Sequence, residues 1–443
     1  MRETIAGHAR EDARDVVFVF SGQGGQWPGM GRELFEHVSL VRATIERFDA
    51  LMRPKWGHSL AERFTARDDS IFQSDVGQPV LFALQVALAR LLESWGFVPA
   101  CVLGHSLGEI AAAHIAGALS EQDVADLIVE RSRAQERTRG AWRMAAIGVS
   151  EDEARELLAP YRGAIHIAAL NAPTQLTLAG EAAAVEELAA TLTERGRFAR
   201  VLPLPYAFHS PAMDVVQDDF LSAVSHVGAR AATIPYLSTV TGGDLPGEAL
   251  GPDYWWRNLR QPVQFAAAVR NALSRGHRTF VEIGPSPSLV RYIDEILAAE
   301  HVAGTALGTL KRDAPAMQCM LESVAKLHVR GVAVQWERLS TGDAPHQPFP
   351  SYPWQRQRFW TESPDARALR LSGPSHPLLG TLKRGANPAW LSDIGPHTHA
   401  FLGDHRLDDR AVFPAAGYVE LLLAAVAQGS KESALELSDV RFE

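Results

Sequence analysis

The N-terminal part of the chain alternates short, continuous apolar runs with longer stretches in which apolar residues recur at helical spacing. Continuous runs of strand length are typical of parallel strands that are covered on both faces. Strands are predicted at 16–20, 101–103, 235–240 and 278–283, and helices at 31–51, 79–95, 120–137 and 316–329, with Pro79 in the first turn of its helix. Strands that alternate with helices predict an α/β domain, doubly wound around a mostly parallel sheet.

A smaller unit with a different order of elements interrupts this domain at about residues 142–204. Its pattern predicts strand, helix, strand, strand, helix and strand, at 144–149, 151–158, 164–170, 175–179, 181–195 and 198–204. This order is that of a ferredoxin-like fold. We therefore expect an inserted ferredoxin-like subdomain, after which the larger domain resumes at 205–210.

The pattern changes again toward the C-terminus. A stretch rich in proline and aromatic residues at 348–354 indicates an ordered linker, because its aromatic rings need a surface to cover. A new unit begins near His376. The predicted boundaries are 1–15 for an N-terminal linker, 16–305 for the α/β domain, 306–373 for a second linker and 374–443 for a further domain.

The turn after the strand at 101–103 carries the most specific chemical signal in the chain. Residues 104–108 read GHSLG, which joins this strand to an Ala-rich helix and places Ser106 in a G-x-S-x-G motif. The two glycines remove side chains where strand and helix crowd together, so that the serine can take a strained conformation with its Oγ exposed. The N–H groups at the start of the helix then face an oxyanion at that oxygen. The motif favours a nucleophile, and the alternative is a serine that only caps the helix.

Two further features follow predicted strands, where open α/β sheets place their sites. A Gly-rich loop at 22–26 can bring bare backbone N–H groups close to a ligand, and it lacks the Gly-Lys-Ser/Thr of a phosphate-binding loop. His209 follows the strand that ends the subdomain, and it is the best-placed base for Ser106. The alternative for His209 is a structural histidine.

Composition argues against several other classes of function. A net charge of −9 and a pI near 6.0 argue against binding to nucleic acid or to an anionic membrane. The two cysteines form neither a disulfide framework nor a zinc site, so we expect no metal and a reducing, cytoplasmic location. The polar N-terminus is unlike a signal peptide, and no apolar run approaches membrane-spanning length.

Six segments resemble, in order and spacing, the acyltransferase domains of type I polyketide synthases, which are akin to malonyl-CoA:acyl carrier protein transacylases. They are GQGGQWPGMG (22–31), GHSLGE (104–109), ERSR (130–133), YAFHS (206–210), YWWRNLRQPVQF (254–265) and EIGPSPSL (282–289). The resemblance extends over about residues 14–360 and includes the linker YPWQRQRFW. It implies a hydrolase-like α/β core.

The resemblance also implies roles for particular residues. Ser106 matches the nucleophile, His209 the general base, and the backbone N–H groups of Gln23 and Leu107 the oxyanion hole. Arg131 matches the arginine that holds the free carboxylate of the acyl group, and without the resemblance it would be interpreted as a solvated arginine. The implied substrates are a coenzyme A thioester, such as malonyl-CoA, and the phosphopantetheine arm of an acyl carrier protein, with no bound cofactor. The implied partners are that carrier protein and the neighbouring ketosynthase and dehydratase domains of a larger synthase.

Three residues, Tyr206, Phe208 and Leu107, occupy positions that distinguish acyl groups in this family. Malonyl-selecting relatives typically read HAFH here and methylmalonyl-selecting ones YASH, whereas this chain reads YAFH. Phe208 is bulky where an α-methyl branch needs room, which favours malonyl, and methylmalonyl selectivity is the alternative. A second alternative is a serine hydrolase or thioesterase of the α/β type, which shares the G-x-S-x-G motif and predicts an Asp or Glu that orients His209.

Residues 374–443 resemble the start of a polyketide synthase dehydratase. His405 and Pro414 fit the motif H-x-x-x-G-x-x-x-x-P, with Asp409 at the glycine position. The resemblance implies a partial hot-dog fold. The complete site needs an aspartate from a second hot-dog repeat, so we expect His405 to be inactive in this chain.

Overall fold

The computed structural model of the chain describes residues 5–9, 15–339, 351–357, 359–371, 373–383, 385–429 and 434–442. These residues belong to two units, residues 1–343 and 344–443. The predicted linkers at 1–15 and 306–373 lie partly outside the described residues, as does the start of the aromatic-rich stretch at 348–350.

The described part of the first unit has strands that belong to two sheets. They are β1 (Val16–Phe20), β2 (Cys101–Gly104), β3 (Trp142–Ile147), β4 (Ile165–Ala172), β5 (Gln175–Glu181), β6 (Ala199–Leu202), β7 (Tyr236–Ser238), β8 (Gly243–Asp244), β9 (Thr279–Ile283) and β10 (Thr305–Gly308).

Its helices lie between these strands along the chain and after the last of them. They are α1 (Arg32–His37), α2 (Ser39–Trp56), α3 (Leu60–Thr65), α4 (Ser74–Ser94), α5 (Gly108–Ile115), α6 (Glu121–Glu136), α7 (Glu151–Leu158), α8 (Ala182–Glu194), α9 (Gln217–Ala223), α10 (Pro252–Arg260), α11 (Phe265–Ser274), α12 (Val290–Ala299), α13 (Ala316–His328) and α14 (Trp336–Leu339).

The larger sheet has the strand order β10-β9-β1-β2-β7-β8. Neighbouring strands are parallel except for β8, which is antiparallel to β7. The predicted mostly parallel α/β core is therefore confirmed. The α/β domain was expected to end at residue 305, but the sheet continues from there through Gly308. The sequence Thr-Ala-Leu-Gly has a weak strand pattern, and its pairing with β9 decides its structure.

Alternate residues of β1 are buried on opposite faces of this sheet. Phe18 and Phe20 belong to a core cluster with apolar residues of α2, α4, α5 and α6. Val17 and Val19 belong to a second cluster with residues of α11 and α12. Because helices cover both faces, every position of the strand is apolar, which explains the continuous run seen in the sequence.

Helix α4 begins at Ser74, so the prediction that Pro79 lies in the first turn is wrong. Pro79 has no N–H with which to bond the carbonyl oxygen of Asp75, four residues earlier. That oxygen instead accepts a hydrogen bond from the indole N–H of Trp56, at 2.7 Å. The helix is also long and apolar enough to cross a membrane, contrary to the expectation from sequence, but 89% of its apolar window is buried in the protein. Such burial is typical of a core helix.

Strands β3 to β6 form a separate antiparallel sheet with the order β4-β5-β3-β6. Helices α7 and α8 lie between its strands along the chain, in the order predicted for a ferredoxin-like subdomain. This subdomain has its own core, in which Ile147, Leu178 and Leu188 are buried. The ferredoxin-like prediction is confirmed, with strand ends displaced by a few residues.

The second unit contains antiparallel strands and a long apolar helix. Its elements are α15 (Pro364–Leu371), β11 (Thr381–Lys383), β12 (Ala389–Leu391), β13 (Arg406–Leu407), β14 (Arg410–Ala411) and α16 (Ala415–Gly429). The turn between β13 and β14 holds Asp408 and Asp409 at φ values of 48° and 61°. Aspartate tolerates this left-handed region better than most residues, which explains how Asp409 replaces a glycine. These elements fit the predicted partial hot-dog fold.

Candidate active site

Ser106 lies at the apex of the turn between β2 and α5, with a φ of 52°. This left-handed conformation is strained for a residue with a side chain. A Cβ atom on Gly104 would lie 2.2 Å from the backbone nitrogen of Glu109, and one on Gly108 would lie 2.2 Å from the carbonyl oxygen of Phe20. Both glycines are therefore needed for the close approach of strand and helix, as the sequence predicts.

His209 reaches Ser106 from the loop that follows the subdomain. Its Nε2 lies 2.8 Å from Ser106 Oγ, and its Nδ1 lies 3.0 Å from the carbonyl oxygen of Gln261. Because a carbonyl oxygen only accepts, Nδ1 carries the proton and Nε2 can accept from the serine hydroxyl. Burial and then the positive charge of Arg131 lower the pKa of His209 to about 3, so the imidazole is neutral at physiological pH.

Arg131 is 1% exposed, so its interpretation as a solvated helix arginine is wrong. Its Nη2 donates to Ser106 Oγ at 2.9 Å, and its Nη1 donates to Gln78 Oε1 at 2.7 Å and Gln135 Oε1 at 2.9 Å. Burial lowers the pKa of Arg131 to about 9, which leaves it charged at neutral pH. Within the described residues no carboxylate forms an ion pair or a hydrogen bond with the guanidinium, although the charge of Glu109 acts on it at longer range, and its Nε has no hydrogen-bond partner. A buried cation without a directly bound anion is costly, and a ligand carboxylate would offset that cost.

Ser106, His209 and Arg131 line one cavity of about 480 Å³, together with Gln23 and Leu107. In the part of the chain that the structure describes, neither the Gln23 nor the Leu107 N–H donates a hydrogen bond to another protein atom. Leu107 directly precedes α5, whose N-terminus carries a partial positive charge. An oxyanion formed beside Ser106 Oγ could therefore accept from both N–H groups.

The three residues expected to distinguish acyl groups do not all reach this cavity. Phe208 and Leu107 line it, whereas Tyr206 is not among the lining residues. Tyr206 lies behind Phe208, with ring centroids 4.7 Å apart and an angle of 15° between the ring planes. Tyr206 does not line the cavity, so the role in acyl-group selection that the motif predicts would act through Phe208 and stays a prediction.

Residues 17–334 match the family described as the acyl transferase domain. The chain belongs to this family. Residues 376–443 match the polyketide synthase dehydratase domain. The chain is thus an acyltransferase domain of the polyketide synthase type, followed by a segment of a dehydratase domain.

Relatives of this acyltransferase domain include polyketide synthase proteins. The chain is 37% identical over 445 residues to the spectinabilin polyketide synthase system protein NorA' of Streptomyces orinoci, with 98% of the chain and 12% of that protein covered. It is 38% identical over 376 residues to the erythronolide synthase EryA2 of Saccharopolyspora erythraea, with 82% of the chain and 10% of that protein covered. The chain spans about a tenth of the length of these relatives.

Solved acyltransferase structures are similar to the chain. The acyltransferase domain from module 8 of the salinomycin polyketide synthase matches with a TM-score of 0.72 and 35% identity, over 75% of this chain and 79% of that domain. The protein MCAT from Streptococcus pneumoniae matches with a TM-score of 0.61 and 25% identity, over 70% of this chain and all (100%) of that protein.

Glu109 and Asn258 support the backbone of Ser106, the candidate nucleophile, and neither was predicted from the sequence to have a role. Asn258 Nδ2 donates to the carbonyl oxygen of Ser106 at 3.1 Å and to Glu109 Oε2 at 2.7 Å. Glu109 also accepts from the backbone N–H of Thr239 and from the hydroxyl of Tyr254. These bonds hold the strained backbone of Ser106 in place. The sequence did contain a signal for both residues, because Glu109 ends the segment GHSLGE and Asn258 lies in YWWRNL, and both segments carried the resemblance.

Gln78 and Gln135 were also missed as partners of Arg131. Gln78 Nε2 donates to Gln135 Oε1 at 2.6 Å and to Gln23 Oε1 at 2.9 Å. The three glutamines thus join the Gly-rich loop to α4 and α6 around the guanidinium. No sequence motif marked this contact, because the three residues are far apart along the chain.

His405 lies in the second unit and is exposed. Its Nδ1 donates to the carbonyl oxygen of Val412 at 2.8 Å, which closes the small hairpin of β13 and β14. This bond orients the ring, and the expectation that His405 is inactive stays a prediction.

Proposed function

We propose that the acyltransferase domain transfers a malonyl group from coenzyme A to the phosphopantetheine arm of an acyl carrier protein, through an ester on Ser106. The observation that carries the proposal is Arg131, a buried guanidinium that donates to the nucleophile itself and has no directly bound carboxylate in the described residues. A malonyl ester on Ser106 brings a carboxylate to within a few bonds of Oγ. A guanidinium binds a carboxylate with two parallel hydrogen bonds, which offsets its own buried charge.

In the first half-reaction Ser106 Oγ attacks the thioester carbonyl carbon of malonyl-CoA, and its proton passes to His209 Nε2. The carbonyl oxygen becomes an oxyanion that accepts from the N–H groups of Gln23 and Leu107. When the intermediate collapses, the carbon–sulfur bond breaks and the imidazolium gives the proton to the departing sulfur, which leaves as the thiol of coenzyme A. The carbonyl oxygen of Gln261 keeps the proton of Nδ1 in place during both transfers.

In the second half-reaction the pantetheine thiol of the carrier protein attacks the ester on Ser106. His209 Nε2 accepts the thiol proton and then donates it to Ser106 Oγ as the carbon–oxygen bond breaks. The products are the malonyl thioester of the carrier and the free serine, so the enzyme is regenerated without a net change of protons. We further propose that the carrier belongs to the same synthase, along with ketosynthase and dehydratase domains.

The serine hydrolase alternative predicts an Asp or Glu beside His209 and an apolar acyl pocket. Among the described residues the partner of Nδ1 is a backbone carbonyl, and the cavity holds a buried arginine. The first observation argues against the hydrolase alternative, and the second favours transfer of an acyl group that carries a negative charge.

The proposed function is tested by the mass of the intact protein after exposure to malonyl-, methylmalonyl- and acetyl-CoA in competition. We expect a mass increase of one malonyl group on Ser106, which a carrier protein with its pantetheine arm then removes and accepts. Release of free malonate with no gain on the carrier would instead support the hydrolase alternative.

Phe208 should restrict the acyl group to malonyl, because it lines the cavity and is held by a ring stack. We expect Phe208→Ser to shift competition toward methylmalonyl-CoA by about tenfold, since one methyl group is worth roughly 1–3 kcal/mol in an apolar pocket. The measurement is the ratio of kcat/KM for the two thioesters. An unchanged ratio would show that selection lies elsewhere, for example at 73–78.

Acylation should be insensitive to pH across the range in which an ordinary histidine titrates. Burial and Arg131 lower the pKa of His209 to about 3, so the base is already neutral above that pH and loses its function only as pH falls toward it. We expect kcat/KM for malonyl-CoA to vary by less than about twofold between about pH 5.5 and 8. An inflection near pH 6.5 would contradict this assignment.

A further inference from the structure

Tyr206 connects the wall of the acyl cavity to a charged residue outside it. Its side chain is 1% exposed, and its ring is stacked on Phe208, which lines the cavity. Its hydroxyl donates to Glu136 Oε2 at 2.6 Å. Burial and the Glu136 carboxylate raise the pKa of Tyr206 to about 12, so the hydroxyl stays protonated and remains a donor.

Glu136 is held from two further directions. The same oxygen, Oε2, accepts from the backbone N–H of Ser74 at 3.0 Å, which ties it to the first residue of α4. The other oxygen, Oε1, accepts from Arg139 at 3.2 Å, and the Arg139 side chain is about half exposed. The Tyr206 hydroxyl is therefore bound by a carboxylate whose own position is fixed.

We propose that Glu136 is a specificity-determining residue, which sets the room available beside the α-carbon of the acyl group by fixing Tyr206 and, through the stack, Phe208. The inference rests on the proposed function. Glu136 acts through Tyr206 and Phe208 and does not itself touch the acyl group, so it is a positioning residue.

The physical argument starts from helix α6, which carries both Arg131 and Glu136. In the proposed acyl-enzyme the thioester carbonyl carbon is bonded to Ser106 Oγ and the far carboxylate is held by Arg131. The α-carbon lies between these two groups, so the position of any α-substituent is fixed once both are bound. Helix α6 is a rigid element with a rise of about 1.5 Å per residue. The distance between Arg131, which binds the carboxylate, and Glu136, which binds the Tyr206 hydroxyl, is therefore also fixed.

Loss of the hydrogen bond between the Tyr206 hydroxyl and Glu136 should let the stacked rings of Tyr206 and Phe208 move away from the cavity. Tyr206→Phe removes only the hydroxyl and keeps the ring that packs on Phe208. Glu136→Ala removes the acceptor at the C-terminal end of α6, where alanine is compatible with the helix. Glu136→Gln keeps an oxygen acceptor in the same place, and Arg139→Gln breaks the outer ion pair alone.

The test measures kcat/KM for malonyl-CoA and methylmalonyl-CoA in the full chain and in each variant. We expect Tyr206→Phe and Glu136→Ala each to raise the methylmalonyl-to-malonyl ratio by about tenfold. The double variant should show no larger change than the larger single variant, because both remove the same bond. Glu136→Gln and Arg139→Gln should keep a ratio close to that of the wild type.

Several outcomes would overturn the inference. An unchanged ratio in Tyr206→Phe and Glu136→Ala, or multiplied effects in the double variant, would show that Phe208 does not depend on this bond. A general loss of both rates with a constant ratio would show that Glu136 has only a structural role. These outcomes leave the proposed function standing, whereas absence of any acyl-enzyme in the wild type would overturn both.

Discussion

Replacing Ser106 by alanine is expected to abolish acyl-enzyme formation and to leave the fold intact. Ser106 Oγ is the atom that His209 Nε2 and Arg131 Nη2 both contact. Ser288 and Thr177 also line the cavity, but among the described residues their hydroxyls bond Glu282 and Asn171 and neither bonds His209. Loss of a serine nucleophile in an enzyme of comparable chemistry lowers kcat by on the order of 10⁶-fold. Alanine has the same Cβ as serine, so the left-handed backbone at this position is no more strained than before.

The measurement is the intact mass after incubation with malonyl-CoA, with circular dichroism and thermal unfolding as checks on the fold. Ser132→Ala is the matched control, because Ser132 is a buried serine on α6 that bonds only the carbonyl of Val129 among the recorded contacts of the described residues. It should be acylated at the rate of the wild type. Acylation of the Ser106 variant by malonyl-CoA at a comparable rate would remove Ser106 from the mechanism.

Replacing Arg131 by alanine should lower malonyl transfer by roughly one to three orders of magnitude. A hydrogen bond to a charged group contributes on the order of 1.5–3 kcal/mol, and about 1.4 kcal/mol corresponds to a tenfold change in rate or affinity. The same change should raise the relative rate with acetyl-CoA, because an acyl group without a carboxylate leaves the guanidinium unmatched in the wild type. Arg131→Lys keeps the charge but loses the planar fork, so its effect should be intermediate.

The decisive quantity is the ratio of kcat/KM for malonyl-CoA to that for acetyl-CoA, which a general loss of stability does not change. Arg133→Ala is the matched control on the same helix, since the Arg133 side chain is 42% exposed and contacts Glu130 at 3.5 Å and the carbonyl of Lys55. Its ratio should equal that of the wild type. If the ratio also stays constant in Arg131→Ala, Arg131 does not bind the acyl carboxylate.

The sequence alone predicted most of the architecture, because its signals are local. The continuous apolar run at Val16–Phe20 reflects a strand buried on both faces, and the structure has this strand with the same bounds. The turn around Ser106 could be predicted because its flanking residues are glycines, and a Cβ atom on Gly104 or Gly108 would lie 2.2 Å from a backbone atom. Capping residues also act locally, and Ser120, directly before α6, caps the helix with the hydrogen bonds of a capping box.

Predictions were wrong where a distant partner decided the local structure. Pro79 was placed in a first turn because proline removes a helix hydrogen bond, yet Trp56 supplies a donor to the carbonyl of Asp75 and the helix continues. The domain boundary was placed at residue 305, and strand β10 was not predicted, because its four weakly patterned residues gain their structure only from pairing with β9. In both cases the deciding atom lies far away along the chain, where no periodicity or spacing indicates it.

The same distinction holds for the candidate site. The sequence by itself determined the candidate nucleophile and base. The glycines on either side of Ser106 indicate the strained turn, and His209 follows a predicted strand. Only the tertiary structure decided that Arg131 is buried against Gln78 and Gln135, and that the carbonyl of Gln261 orients His209. It likewise decided that Tyr206 lies behind Phe208 rather than in the cavity. The physical reason is that burial and hydrogen-bond geometry depend on contacts between elements, which exist only once the chain has folded.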